Sequence, residues 1–195
     1  MKKTTLFRVL TFVLFVGLLA SCSKHSDKPA NPGGGNNGGG DNGGGTPPPT
    51  TETYYVKAST DGASLNYTGS VKAMRYVQDD GTHILRIQGI KSNSTDEMDV
   101  IVLSAADATA GNYTEGEHED YAIVGIYAPQ NRANDDGIYM AGIQSDNAAP
   151  YSINITEMTD KYVKGTFSGA FFDAQGNGTN KKIFTSGEFK APIGQ

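Results

Sequence analysis

Apolar and polar side chains alternate with a period of two through most of residues 52–195, which is the pattern of half-buried β-strands. Between Tyr151 and Glu157, for instance, Tyr151, Ile153 and Ile155 alternate with serine, asparagine and threonine. Such a strand has one buried face and one solvent-exposed face. The alternation predicts nine strands: Tyr54–Ala58, Val71–Val77, Thr82–Ile90, Met98–Ser104, Tyr121–Ala128, Ile138–Ile143, Tyr151–Glu157, Tyr162–Phe172 and Lys182–Lys190.

Short polar turns separate these strands. The turn signals are Asp61-Gly62, Asp79-Asp80-Gly81, Asp135-Asp136-Gly137, Thr159-Asp160 and Gly176-Asn177-Gly178. Ser104–Ala110 has the composition of one helical turn, which Gly111 would end. We therefore predict an all-β domain: an antiparallel meander of about nine or ten strands that forms a β-sandwich or a flattened barrel to cover its apolar face.

Residues 1–21 have a different pattern, which is that of a secretory signal peptide. Lys2, Lys3 and Arg8 precede an apolar run from Val9 to Ala20. That run is too short for a membrane-spanning helix, which needs about 20 apolar residues.

Cys22 is the only cysteine, and it directly follows Leu19-Ala20-Ser21. This order resembles a bacterial lipobox, in which the cysteine thiol receives a lipid and becomes the first residue of the mature protein. Two or more acyl chains anchor a protein stably to a membrane. The resemblance implies lipidation at Cys22, and Ser23 in place of aspartate favours the outer membrane. Whether the domain faces the periplasm or the exterior is left open.

Residues 23–51 hold nine glycines and five prolines and no large apolar side chain. Because such a segment buries too little apolar surface to offset its ordering entropy, it is expected to be a flexible tether. A glycine-rich coil of this length spans roughly 30 Å. The predicted organisation is a signal peptide (1–21), a lipid-anchored cysteine with a disordered tether (22–51) and one all-β domain (52–195).

The mature chain is acidic. All 21 acidic residues but only 13 of the 16 basic residues follow Cys22, which makes the net charge there −8. No basic footprint for a nucleic acid is present. We therefore expect the protein to be held at the membrane through lipidated Cys22.

A family resemblance is carried by the carboxyl-terminal part of the chain. The first motif is Val163-Lys164-Gly165-Thr166-Phe167-Ser168-Gly169, and the second is Ser186-Gly187-Glu188-Phe189. A third motif, a mid-chain turn, lies at Ala110–Thr114. Together with the lipobox and the tether, these motifs resemble uncharacterised Bacteroidota-type lipoproteins with a domain of unknown function. The resemblance implies a fold and a location but no activity. Gly165 and Gly187 are expected to lie beneath aromatic neighbours, which is a known way to support strand glycines.

The side chains that could bind a metal or catalyse a reaction form only weak patterns in the sequence. Glu115, Glu117, Glu119 and Asp120 form an acidic loop that could hold a hard cation such as calcium. A solvated charge run explains the loop more simply, so no metal and no cofactor are predicted. The aspartate pairs sit beside turns, where aspartate commonly caps the backbone. No catalytic constellation is recognisable, and the chain is not predicted to be an enzyme.

Three functional classes remain open from the sequence. The first is a structural or interaction module with an unknown protein or glycan partner. The second is a glycan-binding surface lipoprotein, because ten tyrosines supply flat aromatic rings. The third is an envelope enzyme or inhibitor subunit. An exposed line of tyrosines would favour the second class, and a cleft with converging carboxylates would favour an enzyme.

Overall fold

In the part of the chain that the structure describes, alternating side chains and tight turns produce one antiparallel sheet of eleven strands. The computed structural model describes residues 52–116, 118–129, 137–144, 146–175 and 180–194, which belong to one compact unit. The strands are β1 (Tyr55–Thr60), β2 (Ala63–Tyr67), β3 (Ser70–Val77), β4 (His83–Ile90), β5 (Glu97–Ser104), β6 (Gly111–Thr114), β7 (Tyr121–Ala128), β8 (Tyr139–Ala141), β9 (Ser152–Met158), β10 (Tyr162–Asp173) and β11 (Lys181–Pro192). Within these described ranges no helix is long and apolar enough to cross a bilayer.

The sheet closes almost completely on itself. Its strand order is β2-β1-β11-β10-β8-β7-β5-β4-β3, while β9 pairs with β10 and β6 pairs with β9. Beyond the end of β11, Ile193 forms a bridge to Ala73 of β3, and the N–H of Gly194 donates to the carbonyl of Ala73 at 3.0 Å. The result is a nearly closed, flattened barrel, which agrees with the predicted all-β class.

The two longest strands organise the barrel. β10 pairs with β9 along its first half and with β8 at its end, while β11 pairs with β10 on one side and β1 on the other. The β10–β11 register shifts between Phe167 and Gly169. Such bulges bend a strand and increase its twist, which is how a sheet curls toward closure.

The nine predicted strands are all present, with ends that differ by a few residues. β8 is shorter than predicted, and in place of the predicted helical turn Ser104 ends β5 and residues 105–110 are irregular with bends. Two strands, β2 and β6, were not predicted from the alternation. β2 completes a hairpin with β1 through Asp61-Gly62, whose positive φ angles of 51° and 75° are those of a tight two-residue turn.

The core lies between the walls of the flattened barrel. Phe167 of β10 and Phe189 of β11 are 3% and 0% exposed. Their neighbours in the core are mainly aliphatic and aromatic side chains from β1, β4, β5, β7, β9, β10 and β11. In β9, Ile153 and Ile155 are buried while Asn154 is exposed, as its alternation predicted.

The predicted cover over the strand glycines is also confirmed. Gly165 pairs with Phe189, and Phe167 pairs with Gly187. A methyl group at Gly165 would lie 2.5 Å from the Phe189 ring, and one at Gly187 would lie 2.8 Å from the Phe167 ring. Each phenylalanine therefore packs across the hairpin on the bare backbone of the opposite glycine.

Candidate functional site

The sequence-predicted anchor and part of the acidic loop lie outside the described residues. Cys22 and Glu117 both belong to that group. Lipidation of Cys22 therefore stays a prediction from the sequence.

The described part of the acidic loop connects β6 to β7. The N–H of Glu115 donates to the Tyr151 carbonyl, and the Asp120 carbonyl accepts from the N–H of Ala105. These backbone bonds attach both ends of the loop to the barrel. Among the described residues, no group of three or more His, Cys, Asp or Glu side chains is placed to hold a metal ion.

Asp80, from one of the predicted aspartate pairs, and Asp173, at the end of β10, both cap turns. A side-chain oxygen of Asp80 accepts from the N–H of Thr82 at 2.9 Å, and one of Asp173 accepts from the N–H of Gln175 at 3.0 Å. This is the local use of aspartate that the turn positions predicted. Asp135 and Asp136 lie outside the described residues.

A surface depression of about 220 Å³ lies where β5, β6 and β7 end or begin. It will be called the tyrosine depression. Its lining is mostly apolar and consists of Ser104, Ala105, Ala106, Asp107, Ala108, Tyr113, Asp120 and Tyr121. Ligand pockets share this kind of lining, but they are usually larger, about 300–1,000 Å³, and enclose most of the ligand.

Local hydrogen bonds hold the two tyrosines of this depression in place. The Tyr113 hydroxyl donates to the Thr109 carbonyl and accepts from the Thr109 N–H, at 2.9 and 3.0 Å. The Tyr121 hydroxyl accepts from the N–H of Thr114 at 3.3 Å. Their ring centroids are 5.2 Å apart at an interplanar angle of 83°, which is the edge-to-face geometry that aromatic pairs favour.

Two histidines lie next to the tyrosine depression. The His118 ring stacks on Tyr121 at 4.2 Å, and its Nε2 is 3.1 Å from the Tyr121 hydroxyl. Nδ1 of His83 is 2.8 Å from a carboxylate oxygen of Asp107. The loop around His118 is thus exposed but attached by specific contacts.

A second group of tyrosines lies on the outer face of β1, β11 and β10. Tyr54, Tyr55 and Tyr162 are half-buried there, and Lys190 lies between the Tyr54 and Tyr162 rings at 5.8 and 4.5 Å from their centroids. Lys57 lies 4.1 Å from the centroid of Tyr55. These rings therefore already contact a cation of the chain itself.

A buried ion pair lies on the outer face of β4 and β5. Nε and Nη2 of Arg86 donate to the two carboxylate oxygens of Asp99 at 3.0 and 2.7 Å, and Nη2 also contacts Glu97. Asp99 is 2% exposed. Burial raises the pKa of Asp99 to about 7, although the adjacent Arg86 guanidinium acts in the opposite direction.

Buried hydroxyls of the core are a further polar feature. The Tyr67 and Tyr151 hydroxyls are buried without a hydrogen-bond partner in the described structure. Burial raises the pKa of both phenols, so both are neutral at physiological pH.

Several of these residues were missed at the sequence level. Asp120 was predicted to be part of an acidic loop, but Tyr113 and Asp107 were not connected with any site. Tyr113 belongs to β6, whose partner β9 is about 40 residues further along the chain. The local sequence around Ala105–Tyr113 contains no signal that would bring these side chains to Tyr121.

No protein-family model, curated protein or solved structure matches this chain. A function is therefore supported only by the residues and their geometry.

Proposed function

We propose that the chain is a membrane-anchored lipoprotein of the bacterial cell envelope, held in the outer membrane by Cys22. It presents its β-domain as an interaction module rather than as an enzyme. The observation that carries the proposal is the order of basic residues, apolar run and Leu19-Ala20-Ser21-Cys22. The glycine-rich segment after Cys22 would let the domain turn freely beside the membrane.

The geometry of the domain supports an interaction role. Asp80 and Asp173 hold turns together, and the tyrosine depression is shallow and mostly apolar. Such a lining is compatible with a contact surface, because the centre of a protein interface is more apolar than its rim.

The test of anchoring is Cys22→Ser, with Ser23→Ala as the matched control that leaves the cysteine intact. We expect the Cys22→Ser protein to move from the membrane fraction to the soluble fraction, because serine lacks the thiol that accepts the lipid. The control should stay in the membrane fraction. An unmodified Cys22 thiol, found by intact-mass analysis of membrane-purified protein, would contradict the proposal.

Glycan binding is a second candidate, and the outer-face tyrosines are the observation that favours it. Tyr55 and Tyr162 lie on one face of the sheet, and Lys190 on that face also contacts the Tyr54 ring. Lys57 and Lys190 over these rings weaken the case, because a sugar would have to displace them. Binding to a panel of envelope glycans that is lost in Tyr162→Ala but kept in Tyr121→Leu would support this candidate.

A further inference from the structure

The outer edge of β3 combines exposed apolar side chains with an unpaired backbone. β3 is a terminal strand of the sheet order, and its described partners are β4 along its length and Ile193 at Ala73 alone. Within the described ranges, three large hydrophobic side chains are exposed, and two of them are neighbours at the end of β3: Tyr76 at 38% and Val77 at 55%. An exposed sheet edge is a template for a further strand.

The backbone groups of Arg75 and Val77 face this outer edge. The Ala73 carbonyl accepts from the N–H of Gly194, on the side away from β4. Because the backbone groups of a strand point alternately to its two sides, Arg75 and Val77 face the same side as Ala73. Beyond Ala73, no described residue hydrogen-bonds to the backbone there. The segment from Arg75 to Val77, which will be called the β3 edge, therefore offers two N–H donors and two carbonyl acceptors to an added strand.

The charge of β3 favours an acidic partner. Lys72 and Arg75 are exposed, β3 contains no acidic residue, and neither cation forms an ion pair with a described residue. The nearest acids along the chain, Asp79 and Asp80, belong to the turn after the strand. A second copy would bring its own two cations to this edge, and like charges on paired strands are destabilising, whereas an acidic strand gains opposite-charge pairs.

We propose that the β3 edge binds an extended acidic segment of a partner protein by strand addition. The backbone of that segment pairs with Arg75 and Val77, its apolar side chains cover Tyr76 and Val77, and its carboxylates lie beside Lys72 and Arg75. In this kind of recognition the main-chain hydrogen bonds supply affinity and the side chains supply specificity. The inference deepens the proposed interaction role and rests on it for its biological meaning.

The first experiment titrates the full chain carrying Cys22→Ser with an acetylated peptide of alternating glutamate and valine, followed by two-dimensional NMR. We expect the largest amide shifts at Arg75, Tyr76 and Val77, and weaker binding at high salt, because exposed charges are screened. A peptide N-methylated at every residue lacks the donors, and a lysine–valine peptide reverses the charge, so both should bind at least about fivefold more weakly. Equal binding of the three peptides, or shifts confined to other strands, would overturn the proposal.

Two pairs of variants separate the backbone from the charge. Val77→Pro removes an edge N–H and should weaken binding of the glutamate–valine peptide about tenfold, whereas Val77→Thr keeps the N–H and should retain binding. Arg75→Glu should weaken binding about fivefold, whereas Lys164→Glu, the same charge reversal at an exposed position of β10, should not. Because Arg75 is exposed, its variant remains informative even if Val77→Pro fails to fold. Unchanged affinity in Arg75→Glu would contradict the proposal.

Analytical ultracentrifugation without peptide tests the second copy as the occupant. The protein should remain a monomer, and a dimer whose formation shifts the amides of the β3 edge would show that the proposal is wrong. The peptide titration uses soluble protein and does not depend on the lipid. Its failure would therefore refute this inference while leaving anchoring through Cys22 in place, and a failed anchoring test would leave peptide binding as an independent observation.

Discussion

Asp99 is a residue whose environment makes stability depend on pH. Its carboxyl is buried against Arg86, and burial raises its pKa from 3.8 to about 7. The folded protein therefore holds a proton on Asp99 at pH values where the unfolded chain has released it. For a group whose pKa is raised by folding, the stabilisation is complete below the unfolded pKa and is lost as the pH rises through the folded pKa.

We predict that the free energy of unfolding falls between about pH 4 and about pH 7, by an amount on the order of 2–4 kcal/mol from this group. Urea unfolding of the wild type and of Asp99→Asn across this range measures the difference. The wild type should lose stability relative to the variant as the pH rises, because asparagine cannot titrate. Asp160→Asn is the control and should keep the wild-type slope. If the free energy of unfolding changed with pH in the same way in the wild type and in Asp99→Asn, burial of Asp99 would not be the cause of the pH dependence.

At the scale of the element, the β10–β11 hairpin connects the parts of the barrel. Its two strands have 12 residues each, and between them they pair with β1, β8 and β9. Phe167 and Phe189 pack on the opposite glycines of this hairpin and are almost fully buried. Loss of either ring would leave a cavity beside a strand that supports several neighbours.

We predict that Phe167→Ala or Phe189→Ala lowers the free energy of unfolding by about 3–5 kcal/mol. That is a large part of the stability of a marginal domain, which is roughly 5–15 kcal/mol, so the melting temperature should fall sharply. His118→Ala is the control, because His118 is exposed and its described contacts, to Thr114 and Tyr121, lie at the adjoining ends of β6 and β7. Tolerant phenylalanines combined with a His118 essential for folding would contradict the assigned roles of both elements.

The whole molecule is expected to combine a folded barrel with a tether that has no hydrophobic core of its own. Residues 23–51 have the composition of a disordered linker, whereas the described residues of 52–194 share one sheet and one core. A protease needs a locally open segment, and the two parts should therefore differ greatly in their rate of cleavage.

We predict that limited proteolysis cuts first between Ser23 and Thr51 and leaves a resistant fragment beginning near Glu52. Mass spectrometry of the fragments over time identifies the first cuts. The Cys22→Ser protein serves as a soluble substrate with the same tether. Primary cuts within residues 120–190 would place the domain boundary elsewhere.

The fold class was predictable because β alternation and turn chemistry are local. Nine strands followed from a period of two, and the pairing of aromatics with glycines followed from Gly165-Thr166-Phe167 and Gly187-Glu188-Phe189. β2 was missed although Asp61-Gly62 is a strong hairpin signal, because Ala63–Tyr67 is short and mostly polar. β6 has four residues, and only its pairing with distant β9 makes it a strand.

The sequence by itself determined the strand pattern, the chemistry of the turns and the lipobox order that supports the proposed anchor, because each depends on neighbouring residues. Only the tertiary structure decided that the end of β11 meets Ala73 and that Arg86 and Asp99 form a buried pair. It also decided that the ring centroids of Tyr113 and Tyr121 lie 5.2 Å apart, in a depression that Asp107 also lines. Which strands become neighbours depends on how the whole sheet curls to bury its apolar face, and that free energy belongs to the complete core. The candidate site is assembled by that closure, so no local pattern could have predicted it.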